Sequence, residues 1–103
     1  MLGRGQAQPN YRLKAKFVMT RVGGEAVVAP ICDSTADMGK LKALNATGAD
    51  IMECVQRGLS VRQIVDRLVA DYGADDRGQV ERDVEEFIGQ MVDAGYVENA
   101  QPK

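Results

Sequence analysis

The stretch that decides the fold is Phe17–Pro30, which reads FVMTRVGGEAVVAP. Two runs rich in strand-forming residues flank Gly23-Gly24, and a glycine pair between two such runs is typical of a β-hairpin. Pro30 has no N–H to donate to a sheet, so we expect the second strand to end there. The sequence therefore predicts an antiparallel hairpin made of Phe17–Val22 and Glu25–Pro30.

A third strand is predicted after the loop at residues 31–37. The segment Met38–Leu44, MGKLKAL, places two lysines with Met38 and Leu44 at one set of alternate positions and small or apolar residues at the other. This period of two indicates a strand with one charged face and one apolar face. We interpret it as an edge of a three-stranded antiparallel sheet.

The remainder of the chain has the apolar spacing of three amphipathic helices. Asn45 or Thr47 is suited to cap the first helix, which we expect to end near Gly58. The second helix is predicted from the capping box of Ser60 and Gln63 to a stop at Gly73. The third is predicted over residues 79–94, followed by a short extended segment at residues 96–97.

Strands and helices in separate runs are typical of an α+β protein. We therefore predict a winged-helix-like α+β fold, in which a three-stranded antiparallel sheet is followed by three helices. With 103 residues the chain fits a single domain. We expect this domain at residues 13–98, between a flexible N-terminal tail at 1–12 and a C-terminal tail at 99–103.

The composition argues against catalysis and metal binding. The chain has no histidine, the commonest general base and transition-metal ligand. Cys32 and Cys54 stand 22 positions apart and lack the spacing of a zinc site, so we interpret them as reduced, partly buried side chains. We expect no enzyme activity, no cofactor and no metal. With neither a signal peptide nor a membrane-spanning run, a cytoplasmic protein is the default expectation.

Charge is distributed unevenly along the chain. Residues 1–21 contain five basic and no acidic residues, whereas the rest contains 8 basic and 15 acidic residues, a net of −7. The predicted third helix has five acidic residues and one arginine, a net of −4. A winged helix of this charge cannot neutralise the 6–10 phosphates that duplex binding commonly uses. We therefore expect no nucleic-acid partner and keep a winged-helix DNA-binding regulator as an alternative.

The predicted edge strand suggests a different activity. A bare strand edge pairs readily with an extended peptide, and main-chain hydrogen bonds then set the register. Lys40 and Lys42 would discourage self-association of the edge and are compatible with an acidic peptide. The simpler interpretation is that the two lysines only protect the edge.

Several segments resemble the PqqD-like family, in its order and over roughly residues 17–97. They are GGEAVV at 23–28, LNATGADI at 44–51, GLSV at 58–61, IVDRL at 64–68, DVEEFI at 83–88 and AGYV at 94–97. Members of this family are small winged-helix-like peptide chaperones, also called recognition elements of ribosomally made, post-translationally modified peptides. The resemblance implies that a precursor's leader peptide binds by strand addition and is presented to a modifying enzyme, often a radical SAM protein.

The same resemblance places a peptide groove between the third strand and the third helix. Carried onto this chain, its lining is Met38, Lys40, Leu41 and Lys42 from the strand, and Val84, Phe87, Ile88 and Met91 from the helix. Quinone-pathway members usually carry a PEG-like tripeptide before an LNxTA stretch and a Gly-Trp near the end. This chain instead has APIC at 29–32, LNATG at 44–48 and Gly95-Tyr96, which favours a different precursor peptide. A structural docking subunit of the maturase is a further alternative.

Overall fold

A computed structural model describes residues 10–31 and 41–100. The order of elements is β1 (Tyr11–Leu13), β2 (Phe17–Val22), β3 (Glu25–Pro30), β4 (Lys42–Leu44), α1 (Ala46–Gln56), α2 (Val61–Tyr72), α3 (Arg77–Asp93) and β5 (Val97–Asn99). Strands β2, β3 and β4 form one antiparallel sheet in that order, and β1 pairs with β5 in a second, two-stranded sheet. The predicted α+β architecture, with a three-stranded sheet followed by three helices, is confirmed.

The hairpin has the predicted strands and the predicted turn. Phe17 pairs with Pro30 at one end and Val22 with Glu25 at the other, so the connection is only two residues long. Gly23 has a φ of 65°, a left-handed conformation that glycine adopts without steric cost.

The third strand is shorter than the sequence suggested. It begins at Lys42, and its pairing with β3 runs from Val28↔Lys42 to Ala26↔Leu44. Residues 38–40 of the expected strand lie outside the described part of the chain, and Leu41 lies just before β4. Lys42–Leu44 is therefore the portion of the Met38–Leu44 prediction that the structure confirms.

The helices begin at capping residues. Asn45 caps α1 by accepting a hydrogen bond from the Gly48 N–H, and Ser60 and Gln63 form the predicted capping box at the start of α2. Asp76 caps α3, so this helix begins at Arg77, two residues before the predicted start. Gly73, with a φ of 63°, ends α2 as expected.

One hydrophobic core lies between the three-stranded sheet and the helices. Val28 and Ala26 of β3 contribute to it with the apolar stripes of the helices, including Met52, Ile64 and Val84, all at most 1% exposed. Cys54, the free cysteine of α1, is buried in this core, and the burial raises the pKa of its thiol. Cys32 lies outside the described residues.

The two-stranded sheet includes residues that were expected in the tails. Tyr11 and Arg12 were expected in a flexible tail, but they form β1 with Leu13 and pair with Asn99, Glu98 and Val97. A stretch of three strand residues is too short to show a period in the sequence, and its partner lies 86 positions away. None of the described helices is long and apolar enough to cross a membrane.

Candidate functional site

One edge of β4 pairs with no other strand of the described residues, and this free edge is the first part of the candidate site. The N–H of Ile31 donates to the carbonyl of Lys16 at 2.7 Å, which places the 16–31 pair among the hydrogen-bonded pairs of the β2–β3 ladder. Because hydrogen bonding alternates along an antiparallel ladder, residues 26 and 28 of β3 then bond to Leu44 and Lys42. The main-chain groups of Ala43 are left pointing away from β3, and extension of the register gives those of Leu41 the same direction, where an added strand would pair.

Phe87 of α3 is the second part of the site. Its half-buried ring packs against the start of α1, close enough that a Cβ atom on Gly48 would lie 3.0 Å from the ring's Cε1. Gly48 is only four residues beyond the end of β4. The Phe87 ring therefore lies beside the point where the edge strand runs into α1.

The two flanks of α3 have different surroundings. On one flank, Arg77 forms an ion pair with Asp66 of α2 at 2.5 Å, and Glu81 lines an open polar cleft between these helices. Phe87 lies on the other side of the buried stripe. Asp83 and Gln90, at i−4 and i+3 from Phe87, are its neighbours on the helix surface.

The site residues inferred from the sequence divide into three groups. Leu41 is 56% exposed, and Lys42 is also exposed, so both are accessible at the edge of the sheet. Val84, Ile88 and Met91 are at most 2% exposed and belong to the core, where they support Phe87 from behind. Met38 and Lys40 lie outside the described residues. A direct contact of any of these side chains with a peptide remains a prediction.

Sequence reasoning missed the contributions of Ala43 and Gly48. Ala43 offers main-chain groups rather than a side chain, and only the register shows that they face outwards. The close approach of Gly48 to Phe87 joins α1 to α3 across 39 positions, and only the folded chain reveals it. The one signal available beforehand was that glycine is a poor residue within a helix unless something requires it.

The charges near the site are predominantly negative. Helix α3 contains five acidic and two basic residues, so its net charge is −3, and Asp83 accepts a hydrogen bond from Gln79 at 2.8 Å. Lys42 provides a positive charge at the edge of the sheet. Within residues 10–31 and 41–100, no cluster of three or more acidic or cysteine side chains is placed to hold a metal ion.

A second cluster of charges lies away from the edge, between β2, α1 and α2. Arg21 bonds to Glu53 at 2.8 Å and to Asp50 at 3.2 Å, and the Tyr72 hydroxyl donates to Asp50. This hydrogen bond raises the pKa of Tyr72, because it stabilises the protonated phenol. The cluster fixes α1 to the hairpin and leaves the β4 edge free.

Two of three comparisons relate this chain to known proteins. A comparison with curated protein sequences gives no match. The fold is similar to that of a solved structure described as TbiB1 in complex with the TbiA(beta) leader peptide, with a TM-score of 0.74 and 23% sequence identity. That alignment covers 89% of this chain and 99% of the other. The model of the family described as coenzyme PQQ synthesis protein D matches residues 18–97, which is most of the chain. The chain therefore belongs to the PqqD family.

Proposed function

We propose that this protein binds the leader segment of a ribosomally made precursor peptide and presents it to a modifying enzyme. The leader would add as a strand along the free edge of β4, and its apolar side chains would contact Phe87. One observation carries the proposal. The open strand edge at Leu41 and Ala43 lies beside the half-buried ring of Phe87.

The chemistry of the edge suits a peptide ligand. Main-chain groups at Leu41 and Ala43 would give affinity that does not depend on the ligand's sequence, and flanking side chains would select among peptides. An acidic ligand residue would be attracted to Lys42, and a basic one to Asp83. A leader carrying both charges in the matching order would therefore be preferred.

Two comparisons support this proposal. The chain belongs to the PqqD family, whose resemblance implies the binding of a precursor's leader peptide. The similar TbiB1 structure is a complex with a leader peptide. The departures at LNATG and Gly95-Tyr96 favour a precursor other than that of the quinone pathway. The groove residues transferred from the family are part of the proposal in three ways. Met38, Lys40 and Lys42 of the strand and Phe87 of α3 would contact the peptide, and Leu41, whose side chain lies on the opposite face, would pair through its main chain. Val84, Ile88 and Met91 would support Phe87 from the core.

The role we propose is non-catalytic. The chain has no histidine, and the candidate site offers main-chain groups, an aromatic ring and one lysine rather than an acid–base pair. The chemistry would belong to a partner, for which we propose a radical SAM enzyme or another peptide-modifying enzyme. We place the protein in the cytoplasm, where a ribosomal precursor is made.

The acidic α3 weighs against the alternative of a DNA-binding regulator. A recognition helix of net charge −3 would be repelled by phosphates. A docking subunit that never touches the peptide would leave the β4 edge unused, so peptide titration separates it from the proposed function.

The test is titration of the isotope-labelled full chain with a synthetic leader from the precursor encoded beside it. We expect chemical-shift changes concentrated at residues 41–44 and around Phe87. A variant Ala43→Pro removes one outward N–H without removing a bond to β3, since proline is tolerated on an edge. We expect it to weaken binding at least tenfold.

The matched control is Ala43→Val, which keeps the N–H and favours a strand. Its affinity should stay close to that of the original chain, and the dispersion of the spectra should confirm that both variants are folded. Equal affinity of the proline and valine variants would exclude pairing at this edge. Shifts confined to α2 or β1, or no binding at all, would contradict the proposed function.

A further inference from the structure

The face of the three-stranded sheet that points away from the helices is unusually apolar. Among the described residues, six large hydrophobic side chains are markedly exposed, and four of them belong to this face. They are Val18 at 45%, Val22 at 64%, Ile31 at 62% and Leu41 at 56%. A concentration of exposed apolar side chains on one surface indicates an interaction site.

The register of the strands arranges this outer face in rows. Val18 is level with Ala29, and extension of the β3–β4 register places Leu41 beside Ala29. Thr20, Val27 and Ala43 form the next row. Along β4 and β3, a large side chain in one row is therefore followed by a small one in the other row. Leu41 is next to Ala43 on one strand, and Val27 is next to Ala29 on the other.

We propose that this outer face is a homodimer interface, in which the sheets of two copies pack face to face with their strands antiparallel. The two-fold axis lies in the plane between the two sheets, perpendicular to the strands and midway between the two rows. It brings Leu41 of one copy over Ala43 of the other, and Val27 over Ala29. On β3 and β4 large side chains then meet small ones, as close packing requires, whereas on β2 the similarly sized Val18 and Thr20 meet. Facing sheets about 10 Å apart, inclined at roughly 30°, accommodate such side chains.

The charges at the ends of the face also fit a second copy. Lys16 is level with Ile31 at one end, and Glu25 is beside Val22 at the other. Neither forms an ion pair within residues 10–31 and 41–100, although the Lys16 Nζ lies 5.6 Å from the centroid of the Phe17 ring. The antiparallel arrangement places Lys16 of each copy near Glu25 of the other, whereas a parallel one would bring like charges together.

The size of the face makes the dimer weak. A strand of six residues is ~20 Å long and three strands span ~14 Å, so the footprint is roughly 280 Å². A stable interface commonly buries about 800 Å² per partner. We therefore expect a concentration-dependent equilibrium rather than a permanent dimer. The free edge of β4 stays open in this arrangement, so self-association and strand addition are compatible.

The test is sedimentation equilibrium of the full chain over a wide concentration range. We expect a monomer–dimer equilibrium that Val18→Lys weakens at least tenfold, because the lysine is placed against the partner's sheet. Val92→Lys is the matched control: it makes the same change at an exposed valine of α3, away from the face, and should leave the equilibrium unchanged.

A charge exchange tests the antiparallel arrangement. Lys16→Glu alone should weaken the dimer by setting two glutamates against each other, and adding Glu25→Lys should restore it. A chain that stays monomeric up to millimolar concentration would overturn the proposal. So would a dimer that resists Val18→Lys, or one that the second charge change fails to restore. These outcomes do not depend on peptide binding, because no leader is present.

Discussion

Gly48 occupies a position where its own helix would favour alanine. It is the third residue of α1, where glycine is less favourable than alanine by about 1 kcal/mol. A Cβ atom at this position would lie 3.0 Å from Cε1 and 3.2 Å from Cζ of the Phe87 ring. The glycine thus lets α3 place its aromatic ring directly on the start of α1, at the candidate site.

We predict that the effect of Gly48→Ala depends on Phe87. In the original chain, the gain in helix propensity is offset because the added methyl displaces the ring. In a Phe87→Leu background the two crowded ring atoms are absent and Asn45 Oδ1, 3.3 Å from the added Cβ, is the close neighbour that remains, so the same change should stabilise the protein by up to about 1 kcal/mol. Urea unfolding of the four proteins measures this coupling. An equal effect of Gly48→Ala in both backgrounds would show that the contact is unimportant.

At the scale of the element, α2 depends on its N-terminal capping box. The Ser60 hydroxyl accepts from the Gln63 N–H at 3.2 Å, and the Gln63 side chain accepts from the Ser60 N–H at 2.9 Å. Ser60 is 7% exposed, so water cannot easily replace a lost partner. We predict that Ser60→Ala lowers the free energy of unfolding by about 1 kcal/mol.

That loss corresponds to a fall in Tm of roughly 4–8 °C for a domain of this size. Thermal unfolding followed by circular dichroism measures it. Ser60→Thr retains a capping oxygen and should lose less. If the alanine and threonine variants melt together below the original chain, the loss comes from packing at the buried site and not from the cap.

Elements with local signals were predictable from the sequence. The Gly-Gly hairpin and the Ser60 capping box each lie within a few residues, and both appear as expected. The start of α3 was placed two residues late because apolar spacing begins at Val80, whereas the cap is Asp76. Strand β1 was missed, and β5 was expected only as an extended segment at residues 96–97, because their pairing depends on residues far apart in the chain.

The candidate site was less predictable than the fold. Periodicity correctly put Val84, Ile88 and Met91 on one apolar face of α3, but it cannot distinguish a groove wall from a core. The structure places these three residues in the core and leaves Phe87 half-buried at its margin. Whether a residue such as Phe87 lies in the core or at its margin depends on how closely a neighbouring helix approaches. That distance is set by packing between elements and cannot be read from the spacing within one helix.

At the scale of the whole molecule, the two ends of the described chain hold each other. Strand β1 pairs with β5, the Lys14 N–H donates to the Tyr96 carbonyl at 2.9 Å, and Arg12 contacts Glu98 at 2.7 Å. Next to these contacts, the Tyr96 ring packs against the Phe17 ring, with their centroids 5.0 Å apart. The terminal strands thus connect the end of α3 to the start of the hairpin.

Within this terminal sheet, we predict that burial contributes more than charge. Val97 is 1% exposed, so Val97→Ala removes two buried methyl groups and leaves a cavity, at a cost of about 2 kcal/mol. The Arg12–Glu98 pair is largely exposed, and Glu98→Ala should cost less than about 1 kcal/mol. Urea unfolding of both variants measures the two losses in the free energy of unfolding. Added salt should reduce only the loss caused by Glu98→Ala. A Val97→Ala variant as stable as the original chain would mean that the terminal strands do not unfold together with the core.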